Sequence, residues 1–362
     1  MKSEKYSYTK LPGNTFVQLT GELTDNDINE IIDLGALGRI QASFIPNDNT
    51  LAILNEKYFA KFPDTGFRIY GLGCEQADVS CLRMLGNVEV LSLDSLNDVS
   101  GLDSLAELPR LRSLQLHAYL LRDLSFLDDI AATLVKLSLD TKSTALDLSR
   151  LLRFAGLRVL RLHRYKKNIE SLDGLRLVES LTLRGITPDS LTFINDMKSL
   201  RRLKIELGAK KDLSDLYGNT NITALGLFKI SHLDNIELLG RLPNLAAVEL
   251  IQLPHVTTFP DLSGHENLKL IRLDDMKGMC DLSNLKNAPA LESFSFSCAP
   301  RTFKPDNLHP LLRNLSVKRC SVLTGSTARN EAMSKTITSY GKIDDSNYMD
   351  VRSALFGGLS EF

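Results

Sequence analysis

The segment VEVLSL at residues 88–93 is followed by LRSLQL at 111–116, LVKLSL at 134–139 and LRVLRL at 157–162. Each segment has the form Leu-x-x-Leu-x-Leu or a close apolar variant. The same form occurs twelve times at intervals of 21 to 23 residues, beginning at positions 67, 88, 111, 134, 157, 178, 200, 222, 245, 268, 291 and 312. A hydrophobic pattern that recurs at a nearly fixed period predicts a solenoid, in which each repeat forms one coil of a stacked array.

Two periodicities within one repeat predict the shape of each coil. The first half alternates apolar and polar residues, as in Leu91-Ser92-Leu93, which predicts a short strand with one buried face. The second half places apolar residues three apart, as at Leu102, Leu105 and Leu108, which predicts 3₁₀ or extended chain, not an α-helix. The sequence therefore predicts an α/β repeat fold: a right-handed, gently curved solenoid with a parallel β-sheet on its concave face and 3₁₀ or extended segments on its convex face.

This pattern resembles the short, 22-residue class of leucine-rich repeat (LRR) proteins, which includes phosphatase-regulator LRR proteins and bacterial internalins. The resemblance covers residues 67–320; it implies the LRR fold and favours a bacterial source. The chain departs from the family eight residues after the first leucine, where the family has Asn. Most residues there are apolar, such as Leu96, Ile186 and Leu253. We therefore expect the backbone groups at the corners to be bonded between coils or by water.

The ends of the chain are expected to cap the solenoid, because the terminal coils of a repeat array expose apolar faces. Near the start, Val17-x-Leu19 and Ile40-x-Ala42 predict degenerate strands, and 25–34 predicts a helix. Near the end, Tyr348, Val351 and Leu355 predict a short amphipathic helix. The predicted regions are an N-terminal cap at 1–66, an LRR solenoid of about twelve repeats at 67–323, and a C-terminal cap or tail at 324–362.

Composition narrows the classes of partner. A net charge of −1 argues against a general nucleic-acid or anionic-membrane binder, which needs an excess of Lys and Arg. The N-terminal sequence MKSEKYSYTK has no apolar signal-peptide core, and no long uncharged apolar run follows. We expect a cytoplasmic monomer with no cofactor; secretion without a signal remains an alternative. The five cysteines form no CxxC pair, which favours buried, reduced thiols, although Cys298 and Cys320 fall on neighbouring coils.

Equivalent residues of successive repeats are expected to form columns on the concave face, about 4.8 Å apart. In one column Asp94, His117, Asp140 and His163 alternate acid and imidazole. Their side chains favour two interpretations: a ladder of solvated polar groups, or ligands of a divalent metal such as zinc. We favour the first, because an open sheet face offers no preformed metal site.

A second group on the concave face combines positive and apolar side chains. Arg161, Arg184 and Lys204 are predicted to point the same way, which favours a protein partner with an acidic patch over a phosphate-bearing ligand. The alternative is that these charges only keep the sheet face soluble. Next to this group, Phe228 and Ile251 continue the column of Arg184, where polar residues are expected, and have the composition of an interface hot spot. The candidate partner-binding residues are Gln115, His117, Asp140, Arg161, His163, Arg184, Lys204, Glu206, Phe228, Ile251, Arg272 and Asp274.

The sequence lacks the short motifs of common enzymes: there is no GxxxxGK[ST], HExxH or GxSxG. We therefore predict a non-enzymatic module that binds a protein on its concave face, acting as a regulator, a scaffold or a toxin-inhibiting immunity protein. One alternative is a bacterial effector that binds a host protein through the same face. An alternative of another class is a metal-dependent enzyme that uses the His/Asp column.

Overall fold

A computed structural model describes residues 4–11, 13–72, 76–164, 167–186 and 189–345. The chain forms two compact units: unit 1 comprises Met1–Leu175 and unit 2 comprises Arg176–Phe362. Each unit contains a sheet of short strands whose apolar side chains enter a core, with thin return segments between the strands. The helix predicted around Tyr348 lies outside the described residues.

The strands of unit 1 form one mainly parallel sheet and one small strand pair. The strands are β1 (Tyr6–Leu11), β2 (Asn14–Leu19), β3 (Arg39–Ala42), β4 (Gly66–Tyr70), β5 (Gln76–Asp78), β6 (Val90–Ser95), β7 (Asp98–Ser100), β8 (Ser113–Ala118), β9 (Lys136–Asp140) and β10 (Val159–His163). The first two, β1 and β2, pair antiparallel, and β2, β3, β4, β6, β8, β9 and β10 then pair in parallel in that order. The small separate pair is formed by β5 and β7.

Repeat periodicity sets the register of these strands. Leu91, Leu114, Leu137 and Leu160 are direct neighbours, and all four are buried. Because side chains alternate across a strand, the residues between the leucines all lie on the opposite face of the sheet.

Unit 1 begins with helical segments that pack beside the first strands. Helix α1 (Asp25–Asp33) starts with a capping box between Thr24 and Asp27, and its Ile28 and Ile31 are buried, as the sequence predicted. Helix α2 (Asp48–Ile53) continues into a π-helical segment, Leu54–Phe59, whose Tyr58 and Phe59 are fully buried. Neither α2 nor the antiparallel strand β1 was predicted.

Short 3₁₀ segments follow most strands, which explains the three-residue apolar step. In unit 1 they are Ser80–Met84, Leu102–Glu107, Ser125–Asp128, Leu148–Arg153 and Ile169–Gly174. In unit 2 they are Thr192–Asp196, Ser214–Leu216, Glu237–Arg241, Ser283–Asn287 and Pro305–Leu308. Several start at the sequence Asp-Leu-Ser. The Asp147 carboxylate, for example, accepts bonds from the Ser149 amide (3.0 Å) and hydroxyl (2.7 Å), so it caps the segment.

Unit 2 repeats the same plan. Its strands are β11 (Ser180–Arg184), β12 (Arg202–Glu206), β13 (Ala224–Phe228), β14 (Ala247–Ile251), β15 (Leu270–Asp274), β16 (Ser293–Ser297), β17 (Arg319–Val322) and β18 (Ile343–Asp344). They pair in parallel in chain order. Two helices, α3 (His309–Leu312) and α4 (Thr327–Ser339), lie near the end of the described chain.

The corners of unit 2 confirm the expected bonding between coils. The apolar residues that replace the family Asn, including Ile230, Leu253 and Met276, are buried. The residue before each of these donates its amide to the next coil, as Lys229 N does to Ile251 O at 2.9 Å. These donor residues have left-handed φ angles, 49° at Lys229 for example, because the chain turns sharply where the strand ends.

The predicted phase was wrong in the first and last repeats. Phe67 pairs with Leu91, not with Val88, so Tyr70 is the residue that stands beside Asp94 in the column. At the other end, Cys320 pairs with Phe294, which places the last strand later than the segment that begins at Leu312. Leu315, predicted to be a strand leucine, is 94% exposed. In the first repeat the pattern matched strand β4 itself but in the wrong phase. In the last repeat it matched the segment from Leu312, which precedes strand β17.

The ends of the predicted solenoid are not marked by breaks in strand pairing. The pairing continues across residue 66, where β3 pairs with β4, and across residue 323, where β17 pairs with β18. The division at these residues stays a prediction. Helix α4 lies in the region predicted as a C-terminal cap or tail, and its buried residues are Met333 and Ile337. Among the residues that the structure describes, no helix is long and apolar enough to cross a membrane.

The cysteines differ partly from expectation. Cys320 is buried and Cys298 is exposed, and both are free thiols. Burial raises the pKa of the Cys320 thiol, which keeps it protonated and unreactive.

Candidate functional site

The candidate residues lie on strands of both units, on the side of each strand opposite the leucine core. Gln115 and His117 lie on β8, Asp140 on β9, Arg161 and His163 on β10, Arg184 on β11, Lys204 and Glu206 on β12, Phe228 on β13, Ile251 on β14, and Arg272 and Asp274 on β15. Arg161 belongs to unit 1, and Arg184 and Lys204 belong to unit 2. The expected joint cluster of these three side chains stays a prediction.

The His/Asp column of unit 1 forms in the predicted register, with Asp94, His117, Asp140 and His163 as successive neighbours. His117 Nδ1 lies 2.9 Å from Asp94 Oδ1, and His117 Nε2 lies 3.3 Å from the Ser138 hydroxyl. His163 Nδ1 lies 2.5 Å from Asp140 Oδ1. Each imidazole is therefore matched with one carboxylate in the column.

Arg68 is a member of this group that the sequence analysis missed, because the first repeat was placed in the wrong phase. Its Nε lies 2.5 Å from Asp94 Oδ2. Burial raises the pKa of the Asp94 carboxyl, but the bonds from His117 and Arg68 outweigh this effect, so the pKa lies below its usual range. For Asp140, burial is likewise outweighed by the bond from His163, and its pKa is also lowered. Both carboxylates are ionised at neutral pH.

The carboxylates and imidazoles of this column occur in pairs, whereas zinc sites usually have at least three protein ligands. Within the described ranges, no group of three or more His, Cys, Asp or Glu side chains is placed to hold a metal ion. In this arrangement a metal at Asp94 would compete directly with Arg68 and His117 for the same carboxylate oxygens.

Unit 2 contains a chain of ion pairs across its exposed face, which we call the ion-pair network: Arg184, Lys204, Glu206, Glu249, Arg272 and Asp274. Glu206 contacts Arg184 at 2.7 Å and Lys204 at 3.1 Å. Lys204 also lies 3.9 Å from Glu249, across the strand that carries Gly226. Arg272 contacts Glu249 at 2.5 Å and Asp274 at 3.0 Å. The six side chains thus link strands β11 to β15.

Gly226 makes this crossing possible. An added Cβ at Gly226 would lie 3.0 Å from the Lys204 Cγ, closer than normal packing allows. The absent side chain therefore leaves the space through which the Lys204 stem reaches towards Glu249. The sequence alone gave no indication of this role.

Burial within the ion-pair network is uneven. The side chains of Glu206 and Glu249 are only 6% and 2% exposed, whereas that of Arg184 is 31% exposed. The positive patch expected from the sequence is therefore balanced by buried carboxylates. Three cations and three anions leave the network with no net charge, although its cations lie closer to the solvent than Glu206 and Glu249 do.

Phe228 and Ile251 lie beside the ion-pair network. They are direct neighbours on β13 and β14, with Glu206 next to Phe228 and Asp274 next to Ile251 in the same column. Both are half-buried. The resulting surface has an apolar centre between charged side chains.

Comparisons with known proteins agree with this architecture. No family model and no curated protein matches the sequence. Among solved structures, a chain of the Drosophila Toll–Spätzle complex is 15% identical with a TM-score of 0.52, and the alignment covers 87% of this chain and 50% of that one. The chain thus spans about half the length of that structure.

Two bacterial structures are also similar. An internalin from Listeria monocytogenes is 18% identical with a TM-score of 0.44, covering 82% of this chain and 76% of that one. An LRR protein from Leptospira interrogans is 15% identical with a TM-score of 0.47, covering 90% and 92%. The repeats, the strand register and the likeness to Toll together show that this chain has the leucine-rich repeat fold.

Proposed function

We propose that this protein is a non-enzymatic interaction module and that the exposed face of unit 2 binds a protein partner. The observation that carries the proposal is the half-buried pair Phe228 and Ile251 set between charged side chains of the ion-pair network. Protein interfaces commonly have this anatomy: an apolar centre that loses its water and a polar rim that remains hydrated. We also propose the candidate residues of unit 1 as partner-binding residues on the face of their own unit.

The ion-pair network supports the proposal because its side chains are already ordered. Lys204 and Arg272 each contact two carboxylates, so little side-chain entropy remains to be lost when a partner binds. Arg184 is the more exposed member of its pair and offers its outer N–H groups to acceptors on the partner. An acidic group of the partner fits this position.

The balanced charge also determines how the partner is recognised. A network without net charge attracts a distant acidic protein only weakly, so we expect short-range hydrogen bonds to matter more than long-range steering. The association rate should then depend less on salt than it would for an unpaired cluster of arginines.

Two features of unit 1 support a non-enzymatic role. A general acid or base works best with a pKa near the working pH, whereas the pKa values of Asp94 and Asp140 are lowered. The second feature is that His117 lies against Asp94 and His163 lies against Asp140, so each carboxylate already has an imidazole partner. Regulator, scaffold and immunity roles in a bacterial cytoplasm all fit within this proposal; delivery to a host cell as an effector would use the same face.

The proposal is tested by affinity capture from the source cells with three forms of the protein. The wild type and a Leu96→Ala control, which changes an exposed apolar residue of unit 1, should capture the same partner. A Phe228→Ala/Ile251→Ala variant that melts like the wild type should not. Equal capture by all three forms would refute binding on the face of unit 2.

Binding kinetics then separate the two parts of the surface. Phe228→Ala should mainly raise the dissociation rate, at a cost of about 2 kcal/mol, because truncation lets water reach the centre of the interface. Arg184→Glu should lower affinity over a wide range of salt concentrations. If neither substitution changes the kinetics, the partner binds elsewhere.

A further inference from the structure

We propose that unit 2 contains a binding site for a small phosphate-bearing anion, in a cleft formed by the corners that follow β13, β14 and β15. The cleft has a volume of about 420 Å³, which is within the usual range for small-ligand sites. We call it the corner cleft; the side chains that bear on its chemistry are Lys229, His232, Gln252, His255, Asp275 and Lys277.

The charge of the corner cleft favours an anion. Lys229 and Lys277 oppose a single acid, Asp275, whereas the whole chain has a net charge of −1. The Asp275 carboxylate already accepts a bond from Gln252 Nε2 at 3.2 Å. Lys229, His232, His255 and Lys277 are all exposed, so their N–H groups are accessible to a ligand.

The types of donor favour phosphate over a carboxylate. The donors are ammonium groups and imidazoles that come from three successive corners, and a phosphate can accept bonds on three or more oxygens in different directions. Lysine recognises phosphate as a point charge, which suits this geometry.

Backbone conformation gives separate support. Lys229, Gln252 and Asp275 have left-handed φ angles, but so do Leu207 and Cys298 at the equivalent corners, so this feature belongs to the repeat. His232 is an exception. Its φ angle of 68° does not belong to the repeated corner position, and the residue lines the cleft. Non-glycine residues in the left-handed region store backbone strain, which often occurs at binding sites.

The first test uses the wild-type protein and inorganic pyrophosphate as the probe. The chain has six histidines, whose ring resonances can be followed separately by NMR. The His232 and His255 signals should shift along a saturable one-site curve with a Kd of about 1 mM or lower, the weak end of the usual range. His117, His163, His265 and His309 should not shift. The absence of saturable shifts at His232 and His255 would overturn the proposal.

The second test compares two charge-matched variants. Lys229→Gln/Lys277→Gln should weaken pyrophosphate binding about tenfold or more, because both point charges at the cleft are lost. Lys269→Gln/Lys286→Gln removes the same charge from exposed positions outside the cleft lining and should bind like the wild type. Equal weakening in both variants would show a general charge effect and overturn the site.

A third measurement tests the chemical class. Citrate carries three carboxylates and no phosphate, so it should bind at least about tenfold more weakly than pyrophosphate if several donors converge on phosphate oxygens. Equal or tighter binding of citrate would overturn the assignment to phosphate.

Discussion

Removal of the Glu249 side chain is expected to destabilise unit 2 more than is usual for a residue on the side of the sheet opposite the leucine core. The side chain is only 2% exposed and lies between Lys204 and Arg272. Glu249→Ala leaves both cations in a partly buried setting without this shared carboxylate. The breaking of a buried ion pair by removal of one partner costs about 3–5 kcal/mol.

The expected value lies at or below the lower end of that range. Lys204 keeps its contact with Glu206 and Arg272 keeps its contact with Asp274, and these side chains are 19% and 13% exposed, so water relieves part of the lost interaction. We therefore expect a loss of about 2–3 kcal/mol for Glu249→Ala. Glu249→Gln, which keeps an acceptor but not the charge, should lose less.

The assay combines urea unfolding with hydrogen exchange, because repeat arrays do not always unfold in a single step. Amide protection should fall first in β13, β14 and β15. Glu266→Ala is the matched control: it removes the same charge from an exposed position of the same unit, and should change stability by less than about 0.5 kcal/mol. If Glu249→Ala behaves like this control, the network does not stabilise the sheet and the reasoning is wrong.

Three further predictions concern the repeat core, a close backbone contact and a 3₁₀ cap. Leu160 is 1% exposed, so Leu160→Ala should lower the unfolding free energy by about 2–5 kcal/mol; an unchanged melting curve would contradict this. A Cβ at Gly278 would lie 2.4 Å from the Pro254 carbonyl oxygen, so Gly278→Ala should lower the melting temperature; Gly264→Ala, where no atom lies within 4 Å, should not. Hydrogen bonds that Ser149 donates to Asp147 lower the pKa of this carboxyl to about 2. This cap should therefore stabilise the fold above the unfolded pKa of about 3.9 and lose its effect as the pH falls towards 2. An NMR titration that gives Asp147 a pKa near 3.9 would refute this prediction.

The sequence predicted the core of this fold because burial and strand geometry impose the same repeating order. Leu137, Leu160, Leu181 and Leu203 occupy equivalent positions, and all are buried as expected. The same reasoning failed at the ends, where segments such as that beginning at Leu312 fit the pattern without forming a strand. Strand register at the ends depends on pairing with the neighbouring strand, which a local sequence pattern does not specify.

The candidate site was predictable only in part. The alternating pattern predicts the strand and the face on which Lys204 and Glu249 lie, so their places in the columns were correct. Their pairing across Gly226 was not predicted, because it depends on side-chain rotamers and on the missing Cβ of the strand between them. The repeated Asp-Leu-Ser sequence, in contrast, was visible and would have identified the caps of the 3₁₀ segments.

The most direct test of the central claim is photo-crosslinking from the proposed interface. A photoreactive phenylalanine analogue is placed at Phe228, and in a second protein at Leu315, which is 94% exposed in the same unit but not on a strand. Both proteins are irradiated in the source cells. The account predicts a discrete covalent adduct with one partner protein from position 228 and none from position 315. The same adduct from position 315, with none from position 228, would contradict it.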